Sequence, residues 1–260
     1  MKTISLPHLQ QASADFYGKY FWKNYQIQKD LFLDFVISGM GKSCLERAQT
    51  LLDIGTGSGK FSILLKNRFP HLQVTAVDLS LENVHTARVN AQNTDTELST
   101  LPASTLDLPF QNASFDLVLC VYMLQHTSDP QKGFQESVRV LKPGGTAFYA
   151  IGRENGLGKI HVRTRRLFHW VPAKFRNLSV APLFPFYYAL THLLKRRKAS
   201  YREMGKDMVD WLYNPLQNFI DEDEIENWFR QNRLSFEHLG YTGLLKSMLI
   251  CRGQKQAEVT

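Results

Sequence analysis

Between Thr50 and Gly152 the chain alternates two rhythms of apolar and polar positions. Short β-branched or apolar runs, "TLLDIG" (50–55), "QVTAVDLS" (73–80), "STLPAST" (99–105), "SFDLVLCVYML" (114–124) and "GGTAFYAIG" (144–152), predict strands. Between them "KFSILLKNRF" (60–69), "LENVHTARVNAQ" (81–92) and "DPQKGFQESVRVL" (129–141) carry helical spacing. This order predicts βαβ units and a parallel sheet. Right-handed crossovers would cover both of its faces, which makes the fold doubly wound.

The logic resumes near the C-terminus, where "DEDEIENWFRQN" (221–232) predicts an acidic-capped amphipathic helix and "LSFEHLGYTG" (234–243) with "LKSMLICRG" (245–253) a strand pair. Residues 153–210 fit no βαβ unit and read as an inserted, helical segment. The expected division is an N-terminal helical lid (1–49), an α/β core (50–152), a basic and aromatic insertion (153–210) and a C-terminal completion of the core (211–260). A length of 260 residues suits one elaborated domain.

The chemistry concentrates in "LLDIGTGSGKFSILLKNRFPHLQVTAVDLS" (51–80). Glycines 55, 57 and 59 follow a strand, and Asp78 ends the next strand. A dinucleotide fingerprint, GxGxxG, fails in both frames because Lys60 and Ser62 stand where its last glycine belongs. A phosphate-binding GxxxxGK[ST] loop fails too, with Ile54 at its first position and Phe61 after Lys60. What remains suits an adenosine: a strand-end carboxylate can accept hydrogen bonds from both ribose hydroxyls.

The stretch resembles the first motif of class I S-adenosylmethionine-dependent methyltransferases, and "LPF" (108–110), "SFDLVLCVYMLQH" (114–126) and "VLKPGG" (140–145) resemble later motifs of that family in the right order. The resemblance implies a mostly parallel seven-stranded, Rossmann-like sheet, S-adenosylmethionine as cofactor, and methyl transfer to an oxygen, nitrogen or carbon of a small-molecule or amphiphilic acceptor. It implies that Gly55 and Gly57 admit the cofactor to the backbone, that Asp53 orients the loop or the methionine amine, and that Asp78 binds the ribose. Thr56, Gly59, Leu79, Ser104, Thr105 and Cys120 complete the expected cofactor-binding set, with Ser104 where the family often has an acid for the adenine amino group. Cys120 also reads as core, Asp53 as a cap of the turn, and Lys142–Gly145 as a turn before the fifth strand.

An oxygen or nitrogen acceptor must lose a proton, for which His126 and Tyr122 are the candidates, His126 with a structural alternative. The aromatic stretch "DFYGKYFWKNYQ" (15–26) reads either as a lid or as core packing, and "WLYNPLQNF" (211–219) either as an acceptor wall or as a satisfied loop. No His, Cys, Asp or Glu group has metal-ligand spacing, so no metal is expected. Cys44, Cys120 and Cys251 form no pair, and the N-terminus has no apolar signal core, which points to a cytoplasmic protein with reduced thiols.

Charge changes the picture locally. The formal net charge is +7, and eleven of the 31 Lys and Arg residues fall between Asn155 and Arg202, where Asp and Glu are absent. The other 20 face 24 acidic side chains. Cations interleaved with aromatics there suggest peripheral contact with an anionic membrane surface, or else a solvated basic face. A nucleic-acid acceptor is disfavoured, since "CVYML" stands after the fourth strand in place of an NPPY or DPPY motif. A protein of this fold that binds an adenosyl ligand or a partner without turnover is the alternative to an enzyme.

Overall fold

A computed structural model describes residues 6–18, 31–154, 212–242 and 247–256, with isolated positions between 171 and 209. By its internal contacts the chain divides into two units, one made of residues 1–153 and 216–260, the other of residues 154–215. The first contains a seven-stranded sheet of order β3-β2-β1-β4-β5-β7-β6. Its strands are β1 (Thr50–Ile54), β2 (Gln73–Asp78), β3 (Ser99–Pro102), β4 (Phe115–Val121), β5 (Leu141–Gly152), β6 (Glu237–Thr242) and β7 (Met248–Gln254). The first five are mutually parallel, and β7 runs antiparallel between β5 and β6. The predicted doubly wound, mostly parallel seven-stranded fold is the observed one.

Helices α2 (Leu31–Met40), α3 (Lys42–Arg47) and α4 (Lys60–Arg68) cover one face, where Val36, Met40, Leu45 and Leu65 meet Leu51, Leu119 and Phe148. Helices α6 (Pro130–Val140) and α7 (Glu222–Gln231) cover the other, burying Phe134, Val138, Trp228 and Phe229 against Tyr149 and Cys251. Helix α5 (Leu81–Asn93) lies along β2 and β3. Helices α5, α6 and α7 start where the sequence supplies a cap: Ser80 Oγ accepts from Asn83 N, Asp129 from Lys132 N and Asp221 from Asp223 N. Helix α1 (Leu6–Phe16) precedes these elements in the chain. Of the stretch expected as a lid, α2 and α3 are therefore core helices.

One local prediction differs from the structure. Lys142–Gly145 is not a turn ahead of β5 but a bulge within it: Leu141 already pairs with Phe115, and the ladder resumes at Thr146 opposite Leu117. Gly144 takes the left-handed turn there at φ 76°. Lys142 reaches back to Asp116 Oδ1 at 2.8 Å, while Asp116 Oδ2 accepts from the amides of Gln49 and Thr50 at 3.0 and 2.9 Å and from Thr50 Oγ1 at 2.9 Å.

Burial pushes the Asp116 carboxyl up, but Lys142, the Thr50 hydroxyl and the two amides outweigh it and hold the group down at about 2. A depressed acid contributes stability above its unfolded value of about 4 and loses it on acidification toward 2. Asp116→Ala is expected to cost about 2–3 kcal/mol at neutral pH, through amides left unpaired. Urea unfolding at pH 7 and pH 3 should show the gap between variant and parent narrowing in acid.

Candidate active site

The order of the sheet reverses between β1 and β4, and at such a switch point the loops after the strands open a crevice at their C-terminal ends. The loop after β1 is held from inside. Asp53 is 3% exposed, and its Oδ2 accepts from Thr56 Oγ1 at 2.8 Å and from Ser62 Oγ at 2.6 Å, stapling the loop to the first turns of α4. The amides of Gly55 and Thr56 donate to Val77 O at 2.8 and 3.0 Å, which draws the loop against the end of β2.

Asp78 completes the junction: its Oδ2 accepts from Gly57 N at 2.9 Å, and its Oδ1 from Ser80 N at 2.9 Å and Asn83 Nδ2 at 3.1 Å. Two glycines are needed for separate reasons. Gly55, at φ 75°, has no room for a side chain, since a Cβ would lie 2.2 Å from Met123 Cγ. Gly59, at φ 78°, faces α5, where a Cβ would stand 3.0 Å from Ala87 Cβ; its place is in helix packing.

Two carboxylates thus share one junction. Burial lifts Asp53 to about 6, the Ser62 and Thr56 hydroxyls oppose the rise, and the charge of Asp78 adds to it. Burial also raises Asp78, against its hydrogen bonds from Ser80, Gly57 and Asn83. Among the described residues no donor reaches Asp53 Oδ1. The donor set is therefore suited to a cation at Asp53 and to hydroxyl donors at Asp78.

The loop after β3 supplies a wall. Ser104 Oγ accepts from Leu106 N at 3.2 Å, and a cavity of about 270 Å³ is lined by Ser104, Leu106, Leu79, Ser128, Gln10 and Gln11. Its size is near the lower end, about 300 Å³, of small-ligand sites. Thr105 is 6% exposed and its hydroxyl, buried without a partner, lies toward Gly133 of α6. Arg139 and Glu136 brace this loop from α6, Arg139 through Leu108 O and Phe110 O, Glu136 through Leu108 N.

After β4 the chain turns at Tyr122, a non-glycine at φ 58°, and places the Met123 side chain beside Gly55. The Tyr122 ring packs against the core under α2–α4. A short 3-10 turn, Leu124–His126, then presents His126. Its Nδ1 is 3.0 Å from Leu216 O and its Nε2 2.8 Å from the hydroxyl of Tyr17. A carbonyl can only accept, so Nδ1 carries the hydrogen and Nε2 is the basic nitrogen, receiving the Tyr17 proton. Asn218 holds the turn through Gln125 O and Thr127 O, so this end of the 211–219 stretch is a satisfied brace beside His126.

The structure thus gathers Asp53, Gly55, Thr56, Gly57 and Asp78 at one junction, with Leu79 and Ser104 in the adjoining cavity. Cys120 lies in the core, 1% exposed, its thiol pushed up by burial and by the charge of Asp53. Sequence reasoning missed Ser62, Asn83, Met123 and Gln10, and marked Tyr17 only as part of the 15–26 aromatic stretch. Ser62 and Asn83 sit in the first turns after the glycine loop and after Asp78, a local signal; the partner of Tyr17 is 109 positions away, and no local feature names it. Residues 19–26 of the aromatic stretch lie outside the described residues, as does most of 155–202.

An acid raised by burial favours the folded state at low pH and loses that contribution as pH rises from its unfolded value of about 4 through about 6. Asp53→Asn keeps an oxygen acceptor for Thr56 and Ser62 but does not titrate. Its unfolding free energy relative to the parent should therefore climb by up to about 3 kcal/mol between pH 4 and pH 7. Urea unfolding at both values measures this, and a gap independent of pH would contradict it.

Comparison with known proteins agrees with this geometry. The methyltransferase-domain family profile matches residues 52–149, from β1 to β5. The ubiquinone biosynthesis O-methyltransferase of Xanthomonas oryzae pv. oryzae is 39% identical over 192 residues, covering 71% of this chain and 70% of that protein. The demethylmenaquinone methyltransferase of Thermus thermophilus is 35% identical over 102 residues, 39% of this chain and 46% of that protein, so the chain spans under half the length of that relative. The YcgJ protein of Bacillus subtilis shares the fold, with a TM-score of 0.57 and 17% identity over 86% of this chain and 98% of that one. A glycine loop stapled by a buried acid, a strand-end carboxylate at the switch point and a relative alike over 70% of its length place this chain in the class I S-adenosylmethionine-dependent methyltransferase family.

Proposed function

We propose that the chain transfers the methyl group of S-adenosylmethionine to a ring hydroxyl of a small amphiphilic acceptor of quinone type. The observation that carries this reading is the junction of Asp53, the glycine loop and Asp78. In this reading Asp53 Oδ1, which no donor of the described residues reaches, receives the cofactor's ammonium, and the Asp78 carboxylate receives the ribose hydroxyls. The relatives' names supply the acceptor class and, through the longer match, the oxygen.

When bound, S-adenosylmethionine supplies a methyl carbon already activated by its positive sulfur, so the chain has chiefly to align the acceptor and exclude water. A hydroxyl acceptor must also lose its proton. We assign that to His126, whose basic Nε2 is reached through Tyr17: as the acceptor's proton passes to the Tyr17 oxygen, Tyr17 passes its own to Nε2. The resulting imidazolium keeps its Nδ1 hydrogen bond to Leu216 O. Tyr122 serves this reading through its backbone turn. Helix α1, with Gln10 on it and Tyr17 just past its end, acts as the lid.

Labelled cofactor incubated with hydroxylated quinone-ring compounds should give labelled, solvent-extractable product and S-adenosylhomocysteine. Asp78→Ala is expected to weaken S-adenosylhomocysteine binding by about 1–3 kcal/mol in calorimetry. Tyr17→Phe should leave that affinity intact and lower kcat. Binding without turnover of any hydroxyl acceptor would count against the reaction, and unchanged affinity in Asp78→Ala against the site.

Among the described residues no helix is long and apolar enough to cross a membrane. For the basic 155–202 segment we propose reversible attachment of a cytoplasmic protein to anionic lipid, which would bring it to an amphiphilic acceptor. Flotation with acidic but not neutral vesicles is expected. It should fade between 0.1 M and 1 M salt as the screening length falls from about 10 Å to about 3 Å. Charge reversal at Lys195, Arg196, Arg197 and Lys198 should weaken it without altering cofactor affinity, and equal failure with both lipids would remove the membrane from the reading.

A further inference from the structure

Gln10 lies on α1, far in sequence from the motifs of the sheet, yet it is only 8% exposed and lines the cavity that Leu79, Ser104 and Leu106 enclose from the other side. Ser128 Oγ donates to its Oε1 at 2.5 Å, which fixes the plane of the carboxamide. Among the described residues nothing receives the two hydrogens of its Nε2. The Nε2 is not sealed from solvent, so both of its hydrogens are available on the cavity side while the other end of the amide is held by Ser128. The arrangement offers a placed donor to an acceptor inside the cavity.

The rest of the lining says what kind. Leu79 and Leu106 offer apolar contact suited to the faces of a flat ring, while Ser104 Oγ, which takes one hydrogen bond from Leu106 N, retains a lone pair and a hydrogen of its own. An adenine edge presents ring-nitrogen acceptors next to an amino donor. An acceptor on the ligand for Gln10 and a donor on the ligand for Ser104 match that edge in kind.

We propose that Gln10 reads the cofactor's adenine, its Nε2 donating to a ring nitrogen while Ser104 Oγ accepts from the amino group. This rests on the reading above that the site holds S-adenosylmethionine. It assigns base recognition to the N-terminal helix together with the loop after β3, and it accounts for a serine standing where an acid would have sufficed alone. Binding of the base then also fastens α1 over the crevice.

Calorimetric titration of the purified full-length chain with S-adenosylhomocysteine and its 1-deaza, 3-deaza and 7-deaza counterparts, each with one ring nitrogen replaced by C–H, tests this without recourse to activity. The parent should lose roughly tenfold in affinity for one of the three, as expected for the loss of one hydrogen bond inside the site. Gln10→Leu should weaken S-adenosylhomocysteine by a similar factor and become indifferent to that replacement. Gln10→Glu, which keeps the shape but accepts where the glutamine donates, should lose at least as much. A variant that weakens all four ligands equally and keeps the deaza penalty would show that Gln10 only packs α1, and would overturn the proposal. So would a parent indifferent to all three replacements. A parent that binds S-adenosylhomocysteine not at all would instead overturn the cofactor reading on which the proposal stands.

Discussion

The C-terminal edge of the sheet depends on one buried carboxylate. Asp53 closes the glycine loop through Thr56 and Ser62 and, with the Gly55 and Thr56 amides on Val77 O, keeps the Gly57 amide at Asp78. The interaction comes at a cost, because burial and the neighbouring Asp78 both oppose ionisation of Asp53. A proton on Asp53 or a cation beside it relieves that cost, so stability is given up at a place suited to binding positive charge. The hydroxyls of Thr56 and Ser62 set the balance: they lower the acid enough to keep it titratable near neutrality without satisfying its second oxygen.

What the sequence disclosed follows from range. The strands and helices from Thr50 to Val140 were legible because each is fixed by its own apolar period and cap. The junction was legible because glycine spacing and a strand-end acid are local features. The bulge at Lys142–Gly145 was not, because it depends on Leu141 pairing with Phe115 and on Lys142 reaching Asp116, both contacts across strands. Gly59 reads like part of a ligand cradle in the sequence, and only the approach of Ala87 shows that it serves helix packing. Cys120 is similar: its position in β4 was clear, whereas its complete burial follows from Tyr149 and Cys251 on the neighbouring strands.

The contacts of α1 were the least legible and tie the most together. Its end meets the start of α5 so closely that a Cβ on Gly18 would lie 2.4 Å from Ser80 Oγ, two residues beyond Asp78. Tyr17, the preceding residue, reaches His126 after β4, and Gln10, two helical turns earlier, reaches Ser128. One short helix and the two residues after it therefore touch the loop that follows Asp78 and the loop that carries His126. Each of its polar contacts is modest by itself. Together they make the helix sensitive to both loops, so a ligand that orders either one changes what α1 gains by staying in place. A base held by Gln10 and a proton passed through Tyr17 would then be features of a single closed arrangement, in which the acceptor site is complete only when the cofactor site is filled.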